Sequence, residues 1–87
     1  MASQWYVYMV RCADNSLYSG ITTDISRRIS EHNLDDKLAA KYTRVRRPVK
    51  LAYSQICSTR SEASQKEYQL KKLTKQKKEQ LVSSHLL

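Results

Sequence analysis

Three segments near the start of the sequence read Trp5-Tyr6-Val7-Tyr8-Met9-Val10, then Ala13-Asp14-Asn15-Ser16, then Leu17-Tyr18-Ser19-Gly20-Ile21. The outer segments are rich in β-branched and aromatic residues, and the middle segment is typical of a turn. The pattern predicts a β-hairpin near the start of a chain whose 87 residues leave room for one hydrophobic core. We expect residues 1–87 to form a single domain.

Two tyrosines of this hairpin are candidates for function. Side chains alternate between the faces of a strand, so Tyr8 and Tyr18 share a face only if the loop has an odd number of residues. A three-residue loop, Asp14-Asn15-Ser16, meets that condition. Gly20 would allow a backbone or a phosphate to approach closely on the same face. Tyrosines on a strand are nevertheless more often packing residues than catalysts.

A first helix follows the hairpin. Thr23 or Asp24 is suited to cap its amino terminus, and Asn33 to end it. Residues Leu34–Arg47 contain only scattered apolar side chains, so this segment predicts a surface loop or a short irregular helix. The alternation of apolar and polar residues in Val49–Cys57 predicts a third strand.

The helical phase of the first helix separates two neighbouring arginines. At 100° per residue, Arg28 and His32 lie within about 60° of Ile25, on the side that meets the sheet, whereas Arg27 lies about 160° away. We therefore expect Arg28 to point inward and Arg27 to point to solvent. An arginine and a histidine on the inner side are costly unless they are paired or functional. For His32, a bond to the last carbonyls of the helix is an equally good interpretation.

The second helix places one carboxylate on its inner side. Thr59 and Glu62 have the spacing of a capping box, which would open this helix. From Ala63, the phase brings Glu67 within about 40° and Leu70 within about 20°. Glu67 is therefore predicted to face the core, where an ion pair with Arg28 is a structural alternative to a catalytic role.

The remaining notable residues are interpreted as structural rather than catalytic. Thr74 is a candidate cap for a last helix over Lys75–Val82. Tyr53 and Tyr68 are interpreted as packing residues. Cys12 and Cys57 have neither the spacing of a zinc site nor a disulfide framework around them, and we expect them to be core residues of a cytoplasmic protein. No segment has the length of a membrane span.

Positive charge is concentrated in the second part of the chain. Residues 1–36 contain three basic and five acidic residues, against thirteen and three in residues 37–87, and the formal net charge is +8. Such a balance favours a polyanion partner, DNA or RNA, over a solvated surface alone. Two runs without acids hold the cations that we expect to bind nucleic acid: Lys41, Arg44, Arg46, Arg47, Lys71, Lys72 and Lys75.

The inward polar residues match the needs of phosphodiester hydrolysis. That reaction requires activated water and cations that stabilise the charge developing on the phosphorus centre. Glu67 could hold one Mg²⁺, or another divalent cation, that otherwise keeps its waters. Arg28 offers a planar fork for a phosphate oxygen. A tyrosine could deprotonate water only if nearby cations lowered its pKa.

The motifs and their spacing resemble the GIY-YIG nuclease superfamily, and within it the small stand-alone bacterial (YhbQ-like) branch. The resemblance covers nearly the whole chain and rests on Tyr6-Val7-Tyr8, Tyr18-Ser19-Gly20, Arg28, His32 and Glu67. It implies an α+β (α/β) domain, in which helices flank a three-stranded antiparallel sheet in the order β-β-α-β-α. It also implies a Mg²⁺-dependent cut of DNA or RNA, in repair or recombination.

The resemblance assigns a role to each of the five residues. Tyr8 and Tyr18 would orient or deprotonate the water, and Arg28 would stabilise the phosphate. Glu67 would bind the metal, and His32 would assist nearby.

This chain departs from the family pattern at two positions. Tyr6 occupies the place of the first glycine of the family name. Ile21 occupies a place where excision-repair relatives carry a lysine, so no lysine is assigned that role here.

Two other functions remain open at this point. One is a non-catalytic nucleic-acid-binding module that retains the nuclease fold. The other is a subunit that acts only with a partner protein, which no motif of the sequence indicates.

Overall fold

The computed structural model describes residues 4–85, so residues 1–3 and 86–87 of the expected domain lie outside the described part. The chain runs through three strands and four helices, and the order confirms the expected α+β arrangement. The elements are β1 (Trp5–Arg11), β2 (Leu17–Thr22), α1 (Ile25–Leu34), α2 (Lys41–Arg44), β3 (Lys50–Cys57), α3 (Arg60–Lys72) and α4 (Lys75–His85).

The hairpin of β1 and β2 has the predicted parity but a different loop. Tyr8 lies opposite Gly20 and Val10 opposite Tyr18, so both tyrosines share a face. The strands end at Arg11 and Leu17, and the connection spans residues 12–16 rather than Asp14-Asn15-Ser16 alone. Asn15 has a φ of 71°, the left-handed conformation that asparagine tolerates and that closes such loops.

The sheet is antiparallel, in the order β2-β1-β3, with β1 in the centre. Its two faces differ. One face, here called the apolar face, carries Val7 and Met9, which pack with Ala63 and Leu70 of α3 and with Val82 of α4. Both strand residues are fully buried, so this face contains the larger part of the hydrophobic core.

The opposite face, here called the tyrosine face, carries Tyr8, Val10 and Tyr18. Ile29 of α1 packs against it, together with Val49 just before β3. Helix α1 begins where expected, because the Asp24 carboxylate accepts a hydrogen bond from the backbone N–H of Arg27. The sheet therefore separates two helical layers, α1 with α2 on one side and α3 with α4 on the other.

The helix caps on the second side were predicted well. The hydroxyl oxygen of Thr59 accepts a hydrogen bond from the N–H of Glu62, which is one half of a capping box. The reciprocal bond from the Glu62 carboxylate is not observed in the described part of the chain, where this carboxylate lies 3.7 Å from Lys66. Thr74 likewise accepts from the N–H of Lys77. The last helix extends beyond the predicted end at Val82, to His85. None of the helices in the described part is long and apolar enough to cross a membrane.

Two local expectations were wrong. The segment expected to be surface, Leu34–Arg47, contains the fully buried Thr43, because its hydroxyl bonds to the buried ring of His32. Tyr68 is 61% exposed rather than packed, since it lies on the outer side of α3 with the ammonium of Lys72 over its ring. Cys12 and Cys57 are free and buried, as expected.

Candidate active site

The site lies where the Tyr8 ring passes over Gly20 of β2. Gly20 lies directly opposite Tyr8, and a Cβ at Gly20 would lie 2.5 Å from the Tyr8 hydroxyl oxygen. No residue with a side chain fits there without displacing the tyrosine. The only glycine of the sequence thus allows the hydroxyl to reach over the neighbouring strand.

A chain of buried hydrogen bonds continues from this hydroxyl. The Tyr8 hydroxyl lies 2.8 Å from Nε2 of His32, and Nδ1 of His32 lies 2.8 Å from the hydroxyl oxygen of Thr43. All three side chains are at most 1% exposed. The Thr43 hydroxyl in turn donates to the carbonyl oxygen of Ala40. His32 therefore connects β1 to the α2 region.

The two ionisable side chains in this series of hydrogen bonds, Tyr8 and His32, are neutral near pH 7. Burial raises the pKa of Tyr8 to about 12, although the nearby charge of Arg28 acts in the opposite direction. Burial also lowers the pKa of His32 to about 4, and the positive charge of Arg28 adds to this effect. In the free protein the pKa of Tyr8 thus stays above its ordinary value, because desolvation outweighs the charge of Arg28, which acts to lower it.

Tyr18 lies beside His32 on the same face of the sheet but is more accessible to solvent than Tyr8. Its ring meets His32 edge-on at 5.6 Å and stacks on Tyr42 at 5.6 Å. The guanidinium of Arg46 lies over the ring of Tyr42, 3.8 Å from the ring centre. Tyr18 is half-buried, whereas Tyr8 is almost completely enclosed. Of the two tyrosines, Tyr18 is thus better placed to touch solvent.

Arg28 lies on the inner side of α1, as its helical phase predicted. Its side chain is 23% exposed, against 54% for Arg27. Its Nη1 group donates to the Glu31 carboxylate at 2.9 Å and to the carbonyl of Leu38 at 2.7 Å. The alternative of a direct pair with Glu67 is not observed in the described part of the chain.

Glu67 approaches from the other side of the sheet. Its side chain is 24% exposed on α3, the helix that packs against the apolar face, and its nearest cation is Lys71 at 3.7 Å. Its negative charge still contributes to the raised pKa of Tyr8, so the two groups are within electrostatic reach. Tyr8, Tyr18, Arg28 and His32 therefore share one face, whereas Glu67 lies in the opposite layer and acts on Tyr8 only through its charge.

The carboxylate of Glu31 is paired with Arg27 and Arg28, so Glu67 is the nearby carboxylate without an arginine partner that a divalent cation could use. In the described residues, no three His, Cys, Asp or Glu side chains lie together in a way that could hold a metal. A site with Glu67 alone suits Mg²⁺, which keeps several waters and binds substrate phosphate directly. The donor set is thus compatible with the expected ion.

Several of the cations expected to bind nucleic acid bind this chain's own groups. Nε of Arg47 donates to the carbonyl of His32 at 2.6 Å, and Arg46 pairs with Asp14 at 3.0 Å. Lys75 donates to the carbonyl of Asn15 at 2.7 Å. The others are more exposed or make only peripheral contacts, and they stay candidates for phosphate binding: Lys41, Arg44, Lys71 and Lys72.

Sequence reasoning missed Thr43, Tyr42 and Arg60. Thr43 and Tyr42 lie in a basic segment with no clear periodicity, so their contacts with His32 and Tyr18 gave no signal in the sequence. Arg60, at the start of α3, lines a polar cleft with Arg27, Arg28 and Glu31. The cleft joins helices that are distant in sequence, and a linear pattern does not reveal it.

Comparison with known protein families gives one match that covers most of the chain. Residues 4–80 match the family model described as the GIY-YIG catalytic domain. The match includes every residue of the site described above.

Relatives with high identity also exist. The chain is 55% identical over 80 residues to UPF0213 protein DP2720 of Desulfotalea psychrophila, covering 92% of this chain and 72% of that protein. It is 51% identical over 74 residues to UPF0213 protein YazA of Bacillus subtilis, covering 85% and 73%. These names describe no activity.

Two solved structures are similar to the fold. The solution NMR structure of UPF0213 protein BH0048 from Bacillus halodurans matches with a TM-score of 0.58 and 45% identity, covering 92% of this chain and 83% of that chain. The solution NMR structure of protein EF2693 from E. faecalis matches with a TM-score of 0.61 and 42% identity, covering 97% and 88%.

Proposed function

Because this chain belongs to the GIY-YIG catalytic domain family, a family of nucleases, we propose that it is a metal-dependent nuclease that hydrolyses phosphodiester bonds of DNA. The observation that supports this most strongly is the grouping of Tyr8, Tyr18 and Arg28 around His32. Titratable groups with perturbed pKa values that lie together beside a cation are typical of functional sites.

Arg28 is the group that holds the phosphate. Its bonds to Glu31 and Leu38 both come from Nη1, which fixes the side chain and leaves other N–H groups of the fork for a phosphate oxygen. The fixed position matters because donors that are aligned before the reaction need no reorganisation when charge develops.

The two tyrosines have different roles. Tyr18 is half-exposed and orients the attacking water by hydrogen bonding. Tyr8 is a neutral phenol that shares a buried hydrogen bond with Nε2 of His32. In this proposal Tyr8 holds neighbouring groups of the site in position and does not deprotonate the attacking water.

Glu67 would hold the divalent cation, which supplies Lewis-acid stabilisation of charge on the phosphate when bound. The partial exposure of the Glu67 side chain leaves it accessible, and the exposed Lys71 beside it can move away at little cost. Lys71, Lys72 and Lys41 then attract the phosphates of the substrate through the net positive charge of the chain.

The test is cleavage by the purified full-length chain with Mg²⁺ on single-stranded, duplex and branched DNA, and on RNA. We expect cleavage of DNA, with a loss of at least about 100-fold in Arg28→Ala and Glu67→Ala, the size seen when one charge-stabilising group is removed from an active site. Glu62→Ala is the matched control, because this carboxylate lies on the same helix and contacts only Lys66. Preference for branched DNA would support a role in repair or recombination.

The alternative is a nucleic-acid-binding module without activity, which is compatible with the raised pKa of Tyr8. Salt-sensitive binding without any Mg²⁺-dependent product, at all protein concentrations, would leave that alternative standing. Cleavage that survives in both Arg28→Ala and Glu67→Ala would show that the catalytic groups lie elsewhere.

A further inference from the structure

The hydrogen bonds of Thr43 determine the tautomer of His32. A threonine hydroxyl has a single proton to donate. The carbonyl oxygen of Ala40, 3.1 Å away, can only accept, so the Thr43 proton goes there. The contact of 2.8 Å between Thr43 and Nδ1 of His32 then requires that Nδ1 carries the proton and donates it.

The consequence reaches Tyr8. With Nδ1 protonated in a neutral ring, Nε2 is an acceptor, and the Tyr8 hydroxyl must donate to it. The lone pairs of the Tyr8 oxygen then face Arg28, whose interaction with Tyr8 opposes the effect of burial on the Tyr8 pKa. In the opposite tautomer the bond from Thr43 to Ala40 is lost and the Tyr8 proton has to find another acceptor. The Ala40 carbonyl also accepts from the N–H of Arg44, so the cost is that of one partly buried hydrogen bond, which corresponds to a preference of roughly fivefold.

We propose that Thr43 is a positioning residue, which holds His32 in the Nδ1–H tautomer and thereby directs the Tyr8 proton away from the substrate. The proposal rests on the nuclease function for its catalytic consequence. The tautomer itself is a property of the free protein, so it is measured without substrate.

The test uses the nitrogen chemical shifts of the imidazole rings in uniformly ¹⁵N-labelled protein near pH 7. The chain has two histidines, and His85→Gln identifies the signals of His32. We expect wild type and Thr43→Ser to show the Nδ1–H tautomer, and Thr43→Val to show a mixture or the reverse. Cleavage by Thr43→Val should fall about tenfold with Thr43→Ser close to wild type, because only serine keeps the hydroxyl.

An Nε2–H tautomer in the wild-type protein would overturn the proposal, whether or not Thr43→Val folds. So would an unchanged tautomer in a folded Thr43→Val. If the tautomer is as stated and no variant cuts nucleic acid, the nuclease function fails and the assignment of the proton remains.

A second, independent observation concerns the polar cleft that spans the edge of β2. Arg27 and Arg28 of α1 line it from one side, and Arg60 of α3 from the other, with Glu31 as its only acidic lining residue. Glu31 contacts Arg27 at 3.5 Å and Arg28 at 2.9 Å. Arg60 has no carboxylate partner among residues 4–85, and its guanidinium lies over the ring of Trp5 at 5.7 Å.

A cleft with three guanidinium groups and one carboxylate has an excess of positive charge beside the group that we assign to the reacting phosphate. We infer that Arg60 and Arg27 bind a phosphate of the nucleic-acid backbone next to the one held by Arg28. This inference names a substrate contact and rests on the proposed function. It involves neither of the two basic runs.

The test is the binding of a labelled DNA duplex to Arg60→Ala in EDTA, where the divalent cation is removed. Loss of one phosphate contact should lower the slope of log K against log salt concentration by about 1. Arg60 is the informative position, because its removal leaves no carboxylate unpaired. Lys37→Ala, which removes an exposed lysine outside the two basic runs, is the matched control and should change the slope less.

A slope for Arg60→Ala that equals wild type would overturn the inference, even if the protein cuts DNA. A reduced slope supports it. Because cation removal stops the proposed cleavage, this outcome does not depend on whether the chain is a nuclease.

Discussion

The two faces of the sheet bury the same strand in different ways. On the apolar face, Val7 and Met9 pack against Ala63, Leu70 and other nonpolar side chains, which attract without directional preference. On the tyrosine face, Tyr8 is buried through a chain of hydrogen bonds in which each donor needs one acceptor. Alternate residues of β1 therefore have different roles: those on the apolar face stabilise the fold, and Tyr8 on the tyrosine face positions the groups of the site.

The tyrosine face fixes the positions of its side chains more closely than the apolar face does. Apolar packing limits volume, but a hydrogen bond also limits angle and proton position. The tyrosine face holds His32 and Thr43 at 0% exposure, so any group that loses its partner there is left unsatisfied. If this comparison is right, substitutions on the apolar face change mainly stability, and substitutions on the tyrosine face change mainly activity.

Met9→Ala should give the largest loss of stability. Met9 is fully buried on the apolar face, and truncation of such a side chain costs about 2–5 kcal/mol of unfolding free energy. Urea unfolding measures the loss. The rate of DNA cleavage at a temperature where the variant is folded should stay within about threefold of wild type, since no group of the site is moved. A cleavage rate that falls by clearly more than about threefold in the folded variant would contradict the distinction between the two faces.

The stability of the tyrosine face should depend on pH through His32. Its pKa is about 4 in the folded protein, against 6.5 for an ordinary histidine, because burial disfavours the charged ring. The unfolded chain therefore takes up the proton first. The stabilisation is fully present above pH 6.5 and is lost as the pH falls toward 4, by a total of about 3 kcal/mol.

Urea unfolding of wild type and His32→Gln between pH 7 and pH 4 tests this. The carboxylates of the chain titrate in both proteins, so the difference between the two curves isolates His32. Parallel curves would mean that His32 is not kept neutral by folding.

Gly20→Ala should reduce cleavage by about 100-fold, which is the effect of displacing a catalytic group by about 1 Å. The added Cβ would lie 2.5 Å from the Tyr8 hydroxyl oxygen, so the ring has to leave its bond with His32. Ser19→Ala is the matched control, because Ser19 is the buried neighbour on the same strand and points to the apolar face. Equal rates in the two variants would contradict the role of Gly20.

Tyr68→Ala should have the smallest effect, below about 0.5 kcal/mol in stability. Tyr68 follows Glu67 on α3 but faces solvent, away from both faces of the sheet. Thermal unfolding and the cleavage assay should both be close to wild type. A loss comparable to that of Met9→Ala would restore the sequence-based interpretation of Tyr68 as a packing residue.

Much of this architecture was predicted from periodicity. The parity of the hairpin put Tyr8 and Tyr18 on one face, and the helical phase separated the inner Arg28 from the outer Arg27. Capping residues such as Asp24 and Thr59 marked the starts of α1 and α3. These features depend on residues that are near one another in sequence, so the sequence contains the information that determines them.

Other features depended on the tertiary structure. Phase indicated that Glu67 faces inward, but only the arrangement of the layers showed that it lies on the opposite side of the sheet from Arg28 and acts on Tyr8 through its charge. The pKa of Tyr8 rises because of burial by residues from several elements, which composition and charge do not reveal. Thr43 becomes a partner of His32 because α2 packs close to α1.

The sequence by itself thus determined the strands, the helices, the inward polar residues and the family. The tertiary structure alone decided which of these residues touch, which protons they share and how strongly water is excluded from them. The physical reason is that secondary structure follows from local sterics and alternation, whereas hydrogen bonding and desolvation in a buried site depend on groups far apart in the chain.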